Sequence, residues 1–386
     1  MIYITTRQSP GYHQMSLEEL LFSTEVCVEL PYDKTSTRTY EVENISQKFK
    51  CASNINPQLL LNTLHAFNME TEELRKKDRH SLYRTFFIPK HTGGLRRIDA
   101  PCDELMTALR KLKTIFEDEF GVLYHTSAFA YIPGRSTIDA VRKHQQNQSK
   151  WFAKMDLSDF FGSTTLDFVM YMLSMIFPFT EIIELPNGKD ELKKSLSLAF
   201  LNGGLPQGTP ISPLITNIMM IPIDFTLSKK LRNFNKNNYI YTRYADDFII
   251  SSKYSFNFNQ IETVIRDTLK EFNAPFCLNQ RKTRYGSSSG SNWNLGVMLN
   301  KDNQITIGYK NKRVFKAMIT SYIQDRIHSN SVVWSLSDLQ TLAGYHSYYR
   351  MVERDEIDKI MFRLSNKFGI DILSQLKSDL KTAQYN

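Results

Sequence analysis

The chain holds 386 residues, 41% of them apolar and 23% charged, with 25 Phe and 19 Tyr. That composition excludes a collagen-like or wholly disordered polymer and is ample for a multi-subdomain enzyme. A formal net charge of +8 suits a polyanionic partner such as nucleic acid.

In chain order, residues 16–80 read as mostly helical, with Leu20, Leu21 and Leu59 to Leu64 at mixed spacing. Tyr83 to Lys90 is strand-like, His91 to Gly94 is a turn, and Leu95 to Ile98 is a second strand, which together predict a hairpin. Asp103 is expected to cap a helix whose stripe runs Leu105, Leu109, Leu112, Ile115 or Phe116, and Phe120. Trp151 to Leu157 reads as a buried strand, followed by a helix from Leu166 to Ile176 and an insertion punctuated by Pro178, Pro186 and Gly188. Leu205 to Met220 is a Gly/Pro loop entering a helix. Tyr239 to Ser252 reads as strand, tight turn, strand, and Ile261 to Phe272 as an amphipathic helix. After Gly308 the pattern is helical. Strands and helices interleave irregularly, which predicts an α+β fold rather than a doubly wound sheet.

Cys27, Cys51, Cys102 and Cys277 stand far apart and form no Cys/His group. That argues against structural zinc or a disulfide framework and for a reducing compartment. The N-terminus lacks a signal-peptide pattern, and no apolar run approaches the ~20 residues of a bilayer span. A cytoplasmic protein without a membrane partner is expected.

The sharpest local signal is Tyr244-Ala245-Asp246-Asp247 between two strand-like runs. Adjacent carboxylates at a hairpin tip repel one another, and a divalent cation such as Mg²⁺ relieves that. A solvated Asp-Asp turn is the plain alternative, since Asp favours turns. Asp156 adds weight, because it ends an apolar strand, where an acid packs poorly but serves a metal well. Two-metal phosphoryl transfer needs about three such carboxylates from separate segments. Leu205 to Pro213 is a third element, a rigid loop whose backbone donors at a helix start suit an anion or a nucleotide edge.

Taken together and in order, these segments resemble bacterial reverse transcriptases of the group II intron and retron lineage. The motifs are Phe87-Ile88-Pro89-Lys90 with Gly93-Gly94-Leu95-Arg96, then Ala130 to Ser136, Asp156 with Phe161, and Pro206-Gln207-Gly208. Tyr244 to Asp247, Leu278 to Thr283, and Leu295-Gly296 complete the series. The resemblance implies a right-hand polymerase. Residues 1–80 would be a helical extension, 81–150 fingers, 151–300 palm with fingers inserted at 165–215, and 301–386 thumb. It also implies an RNA-directed DNA polymerase using two Mg²⁺ ions, or Mn²⁺ in their place, with dNTPs, an RNA template and a DNA product.

By the same resemblance, Asp156, Asp246 and Asp247 are the metal-binding triad, with the Leu157 carbonyl as a further ligand. Lys90, Arg96 and Arg135 would meet the incoming triphosphate or template, and Asp159 would lie near the triphosphate. Phe161 would exclude a 2′-hydroxyl, Gln207 would touch nucleotide and template base, and Lys282 would protonate the leaving pyrophosphate. Phe161 as a core ring, Lys90 and Arg96 as a solvated hairpin, and Lys282 as a plain phosphate contact are the alternatives. Eight basic residues against one acid, Asp302, between Arg281 and Lys316 fit a thumb base gripping phosphates. Tyr345, Tyr348 and Tyr349 are expected in the thumb core.

The chain departs from retrons at Thr137 to His144 and at Leu295 to Met298. The expectation is therefore a stand-alone, defence-associated enzyme, with a dedicated noncoding RNA, a protein partner or a homo-oligomer as associates. A template-independent nucleotide polymerase and a retired nucleic-acid-binding module are the other readings.

Overall fold

A computed structural model of the chain describes residues 49–51, 55–89, 93–119, 122–234, 238–288, 296–329 and 331–385. The predicted helical stretch before residue 49, Lys90, Phe120 and Leu295 lie outside the described residues. The chain divides into two compact units. The first is Met1–Ser136, Ala153–Ile250 and Asn257–Arg284; the second is Thr137–Phe152, Ser251–Phe256 and Tyr285–Asn386. Among the described residues no helix is long and apolar enough to cross a membrane.

The first unit opens with β1 (Phe49–Lys50) and a helix over Pro57–Glu70. The Asn56 side chain caps that helix by accepting from the Gln58 and Leu59 amides. β2 (Tyr83–Pro89) and β3 (Leu95–Pro101) form the expected hairpin, in antiparallel register with Ile88 opposite Arg96. Gly93 and Gly94 both carry positive φ, 85° and 80°, as a tight turn demands. The next helix is Asp103–Thr114, with Cys102 rather than Asp103 at the cap position. Asp103 is the first helical residue, and with Glu104 it complements the helix dipole instead. A π-helical turn over Ile115–Glu119 follows. Ile115 and Phe116 are both buried on it.

β4 (Trp151–Ser158) is buried along most of its length, as its apolar run predicts. The following helix stops at Leu173 rather than Ile176. Ile176 and Phe177 instead form β5, which pairs in parallel with β1, a long-range partner invisible to local periodicity. Helices Ser212–Met219 and Ile221–Arg232 follow the Gly/Pro loop. β6 (Ile240–Tyr244), β7 (Asp247–Ser252) and β8 (Cys277–Leu278) complete a sheet in the order β6-β7-β4-β8. The helix Phe258–Glu271 buries Ile261, Ile265 and Leu269, the stripe read from the sequence. Mixed helix and sheet in this arrangement make the fold α+β.

In the second unit, helices Gly308–Ser329, Leu336–Val352, Arg354–Phe368 and Ile372–Tyr385 enclose a core that includes Phe315, Tyr322, Leu342, Ile357 and Leu376. Tyr349 belongs to that core and Tyr348 packs against it, while Tyr345 stacks on Tyr349 at 5.4 Å but stays 40% exposed.

Two glycines respond oppositely to a methyl group. A Cβ at Gly204 would lie 2.1 Å from the Gly162 carbonyl oxygen, whereas one at Gly344, inside a helix, meets nothing within 4 Å. Urea denaturation should therefore show Gly204→Ala destabilised by about 1–3 kcal/mol. The same measurement should show Gly344→Ala stabilised by about 0.5–1 kcal/mol.

Candidate active site

β4 and the β6-β7 turn place three acids together in the first unit. Asp156, near the end of β4, is 4% exposed. Its carbonyl accepts from the Asn279 amide at 2.7 Å, and the next amide, Leu157, donates to the Asp246 carbonyl at 3.1 Å. The backbone thus pins Asp156 between the turn on one side and the segment after β8 on the other. In the turn, Ala245 carries φ 56°, a left-handed value that favours glycine. Such a conformation in a residue with a Cβ costs about 1–3 kcal/mol and persists only where the surroundings impose it.

The electrostatics carry the mark of crowding. Burial first, then Asp156 and Asp247, push the Asp246 carboxyl up to about 6. Burial also raises Asp247, with Asp156 adding to it and Lys154 opposing. Two ammonium groups offset the repulsion. Lys154 Nζ lies 2.5 Å from Asp247 Oδ2, and Lys282 Nζ donates to both Asp156 oxygens at 2.8 and 3.0 Å. Burial works against the Lys282 charge, but the bond to Asp156 and the nearby Asp246 and Asp247 hold its pKa above the usual lysine range. Among the described residues no three His, Cys, Asp or Glu side chains already gather their donors around a single metal position. The donor set still suits a hard divalent cation, since all three side chains offer carboxylate oxygens and Asp156 raises the cost of ionising both Asp246 and Asp247.

The other expected residues surround this cluster to different degrees. Arg96 is exposed on β3, close enough to lower the Tyr131 pKa, which burial, Tyr244 and Asp246 raise. Phe161 is half-buried, edge-on to Phe160 at 5.5 Å, and its carbonyl accepts from the Leu205 amide. Asp159 is exposed at φ 47°, with its carboxylate folded over Gly162. The Gln207 carbonyl accepts from the Asp99 amide at 2.8 Å, which fastens the Pro-Gln-Gly loop to the hairpin. Arg135 is placed differently from expectation. Its guanidinium donates to the carbonyls of His125, Ala128 and Tyr124, so it braces that loop rather than presenting its fork to a phosphate. Burial lowers its pKa to about 10.

Sequence reading missed three contributors. Lys154, two residues before Asp156, shares its strand face by simple alternation and could have been found that way. Tyr131 takes φ 59°, stays 57% exposed and has its ring 6.5 Å from that of Tyr244. No local signal announces that strain. Asp99, buried at 7%, accepts from Thr85 and Arg97 and ties the hairpin to itself.

The raised Asp246 pKa has a stability consequence. A carboxyl whose folded pKa lies above its unfolded value contributes stability below the unfolded pKa and loses it as pH rises through about 6. In chelator, Asp246→Asn should therefore gain on the wild type by roughly 2–3 kcal/mol between pH 4 and pH 7, read by urea denaturation.

Residues 88–309 match the family model described as reverse transcriptase (RNA-dependent DNA polymerase). The retron Ec73 reverse transcriptase of Escherichia coli is 30% identical over 207 residues, which cover 53% of this chain and 64% of that protein. The retron Ec83 reverse transcriptase of Escherichia coli is 25% identical over 303 residues, 76% of this chain and 89% of that protein. Among solved structures, the apo telomerase of Candida tropicalis aligns at a TM-score of 0.43 with 14% identity, covering 78% of this chain and 63% of the other.

Proposed function

The chain belongs to the reverse transcriptase (RNA-dependent DNA polymerase) family, and we propose that it is an active enzyme that copies RNA into DNA. The observation that supports this most is the nearness of Asp156 to both Asp246 and Asp247, with Lys282 bonded to Asp156 beside them. We assign the first three as holders of two Mg²⁺ ions, with the Leu157 carbonyl as a further oxygen. Bound there, such ions supply Lewis acidity to a hydroxyl and neutralise charge on phosphate.

The overall exchange is simple. The primer 3′-oxygen gives up its proton and bonds to the α-phosphorus of a dNTP, the α–β bridging bond breaks, and pyrophosphate leaves. Lys282, kept charged by its carboxylate neighbours, carries the proton that the leaving group needs. Arg96 and Lys90 grip the triphosphate oxygens. Phe161 forms the floor under the sugar, where a 2′-hydroxyl would collide. Gln207 sits on a loop held from both sides, by Asp99 and by the Gly162–Gly204 contact, and so presents a firm edge to the nascent base pair. Asp159 shapes the turn beneath the triphosphate. The basic run from Arg281 to Lys316 serves primer–template phosphates.

By resemblance to stand-alone defence-associated enzymes, we assign the activity to anti-phage defence in the cytoplasm, on a dedicated noncoding RNA. Plaque counts with and without Asp246→Ala test that setting. For the chemistry, Asp246→Ala and Asp247→Ala should each abolish primer extension on an RNA template, a loss of at least about 10³-fold, with the fold retained. Sequenced product must be complementary to the template; untemplated tails would overturn the copying assignment. Phe161→Ala should raise rNTP incorporation relative to dNTP by about 10-fold or more in competition assays.

A further inference from the structure

Behind the turn that carries Asp246 and Asp247 lies a charge cluster that the proposed chemistry does not use. Arg243 and Asp224 are both 0% exposed. A charged pair so deep persists only when its bonds are met. Arg243 Nε and Nη2 donate to the Asp224 carboxylate at 2.9 and 2.8 Å, and Tyr241 donates its hydroxyl to the same group at 2.6 Å. The remaining nitrogen, Nη1, points elsewhere. It donates to the Ala245 carbonyl at 3.1 Å and to Asn217 Oδ1 at 3.2 Å.

The cluster reaches further through its partners. Asn217 Nδ2 donates to the Ala130 carbonyl at 2.8 Å. The Arg243 amide donates to the Ser127 carbonyl at 2.6 Å, and its own carbonyl accepts from the Phe129 amide at 2.9 Å. One buried hub therefore holds two strained residues at once, Ala245 at φ 56° and, next to Ala130, Tyr131 at φ 59°. Tyr131 and Tyr244 face each other beside Asp246.

We infer that Arg243, anchored by Asp224 and Asn217, is a positioning residue that locks the Ala245 turn and the 127–131 segment, so that Asp246, Asp247 and Tyr131 keep one fixed placement. A merely space-filling pair would use Asp224 and stop there. The third nitrogen on the Ala245 carbonyl is what distinguishes this one, since a guanidinium fork spans two targets and an ammonium does not. The inference rests on the polymerase reading for its turnover arm but not for its cation-binding arm.

Two variants test it. Arg243→Lys keeps a charge for Asp224 and loses the reach to Ala245. The combination Asp224→Leu, Tyr241→Phe and Arg243→Met removes the whole charged cluster without stranding a charge, and leaves only the Ala245 carbonyl and Asn217 Oδ1 without the Arg243 donor. Each is measured by thermal unfolding, by calorimetric Mn²⁺ titration of the nucleic-acid-free protein, and by steady-state dNTP incorporation. Both should unfold cooperatively, bind Mn²⁺ about 10-fold more weakly and lose about 10–100-fold in kcat, as loss of an orienting outer contact does. KM for dNTP should stay within about threefold, because the triphosphate grip is elsewhere. A folded variant with wild-type Mn²⁺ affinity and turnover overturns the inference. So does failure of both variants to fold, which would make the cluster a folding element. A wild-type protein that incorporates no dNTP defeats the polymerase reading instead, and the Mn²⁺ arm then decides the hub alone.

Discussion

Like charges held together by backbone are the constraint around which the first unit is organised. Asp246 and Asp247 sit where Asp156 makes each harder to ionise, and backbone bonds on either side of Asp156 hold the three together. The Leu157–Asp246 and Asp156–Asn279 bonds tie the end of β4 to the turn on one side and to the segment after β8 on the other, so the acids separate only if those backbone bonds break. A fold tolerates such a concentration of repulsion when a ligand of opposite charge is part of its working state.

The lysines refine that picture. Lys154 and Lys282 each satisfy one acid, while Asp246, the most strongly perturbed, has a backbone hydrogen bond and the more distant help of Lys282. The two differ in exposure. Lys154 is largely enclosed with Asp247, whereas Lys282 is 56% exposed at its side chain. Lys154 is thus a fixed neighbour of its carboxylate. Lys282 is held at its tip by Asp156 while its stem stays in solvent, and the proposed role as proton donor to a departing group would use that freedom.

Much of this was readable in the residues. The β2-β3 hairpin, the amphipathic helix at 258–271 and the paired aspartates at a tip each follow from local pattern, because each is stabilised by neighbours close in sequence, and the buried β4 shows in its apolar run although its partner strands are distant. The failures share the opposite cause. β5 replaces the end of a helix because Ile176 and Phe177 have a partner more than a hundred residues away. Arg135 looked like a phosphate contact because its motif is exposed in type, yet the chain folds a loop back over it and uses the fork on carbonyls. Arg243 and Asp224 went unnoticed although each is a charge inside an apolar run. Such a charge announces a buried partner, but one sequence does not say which residue it is.

The contact between Gly162 and Gly204 joins two parts of the site with no side chain between them. One glycine follows Phe161, and the other leads into the Pro-Gln-Gly loop. Any residue with a β-carbon at 204 must push the loop away from the turn that follows Phe161, so a shift in one segment carries over to the other. Attempts to redesign this chain for altered nucleotides by transplanting either segment alone from a cousin will meet that interlock before they meet the chemistry. The productive exchange is of both segments from the same donor.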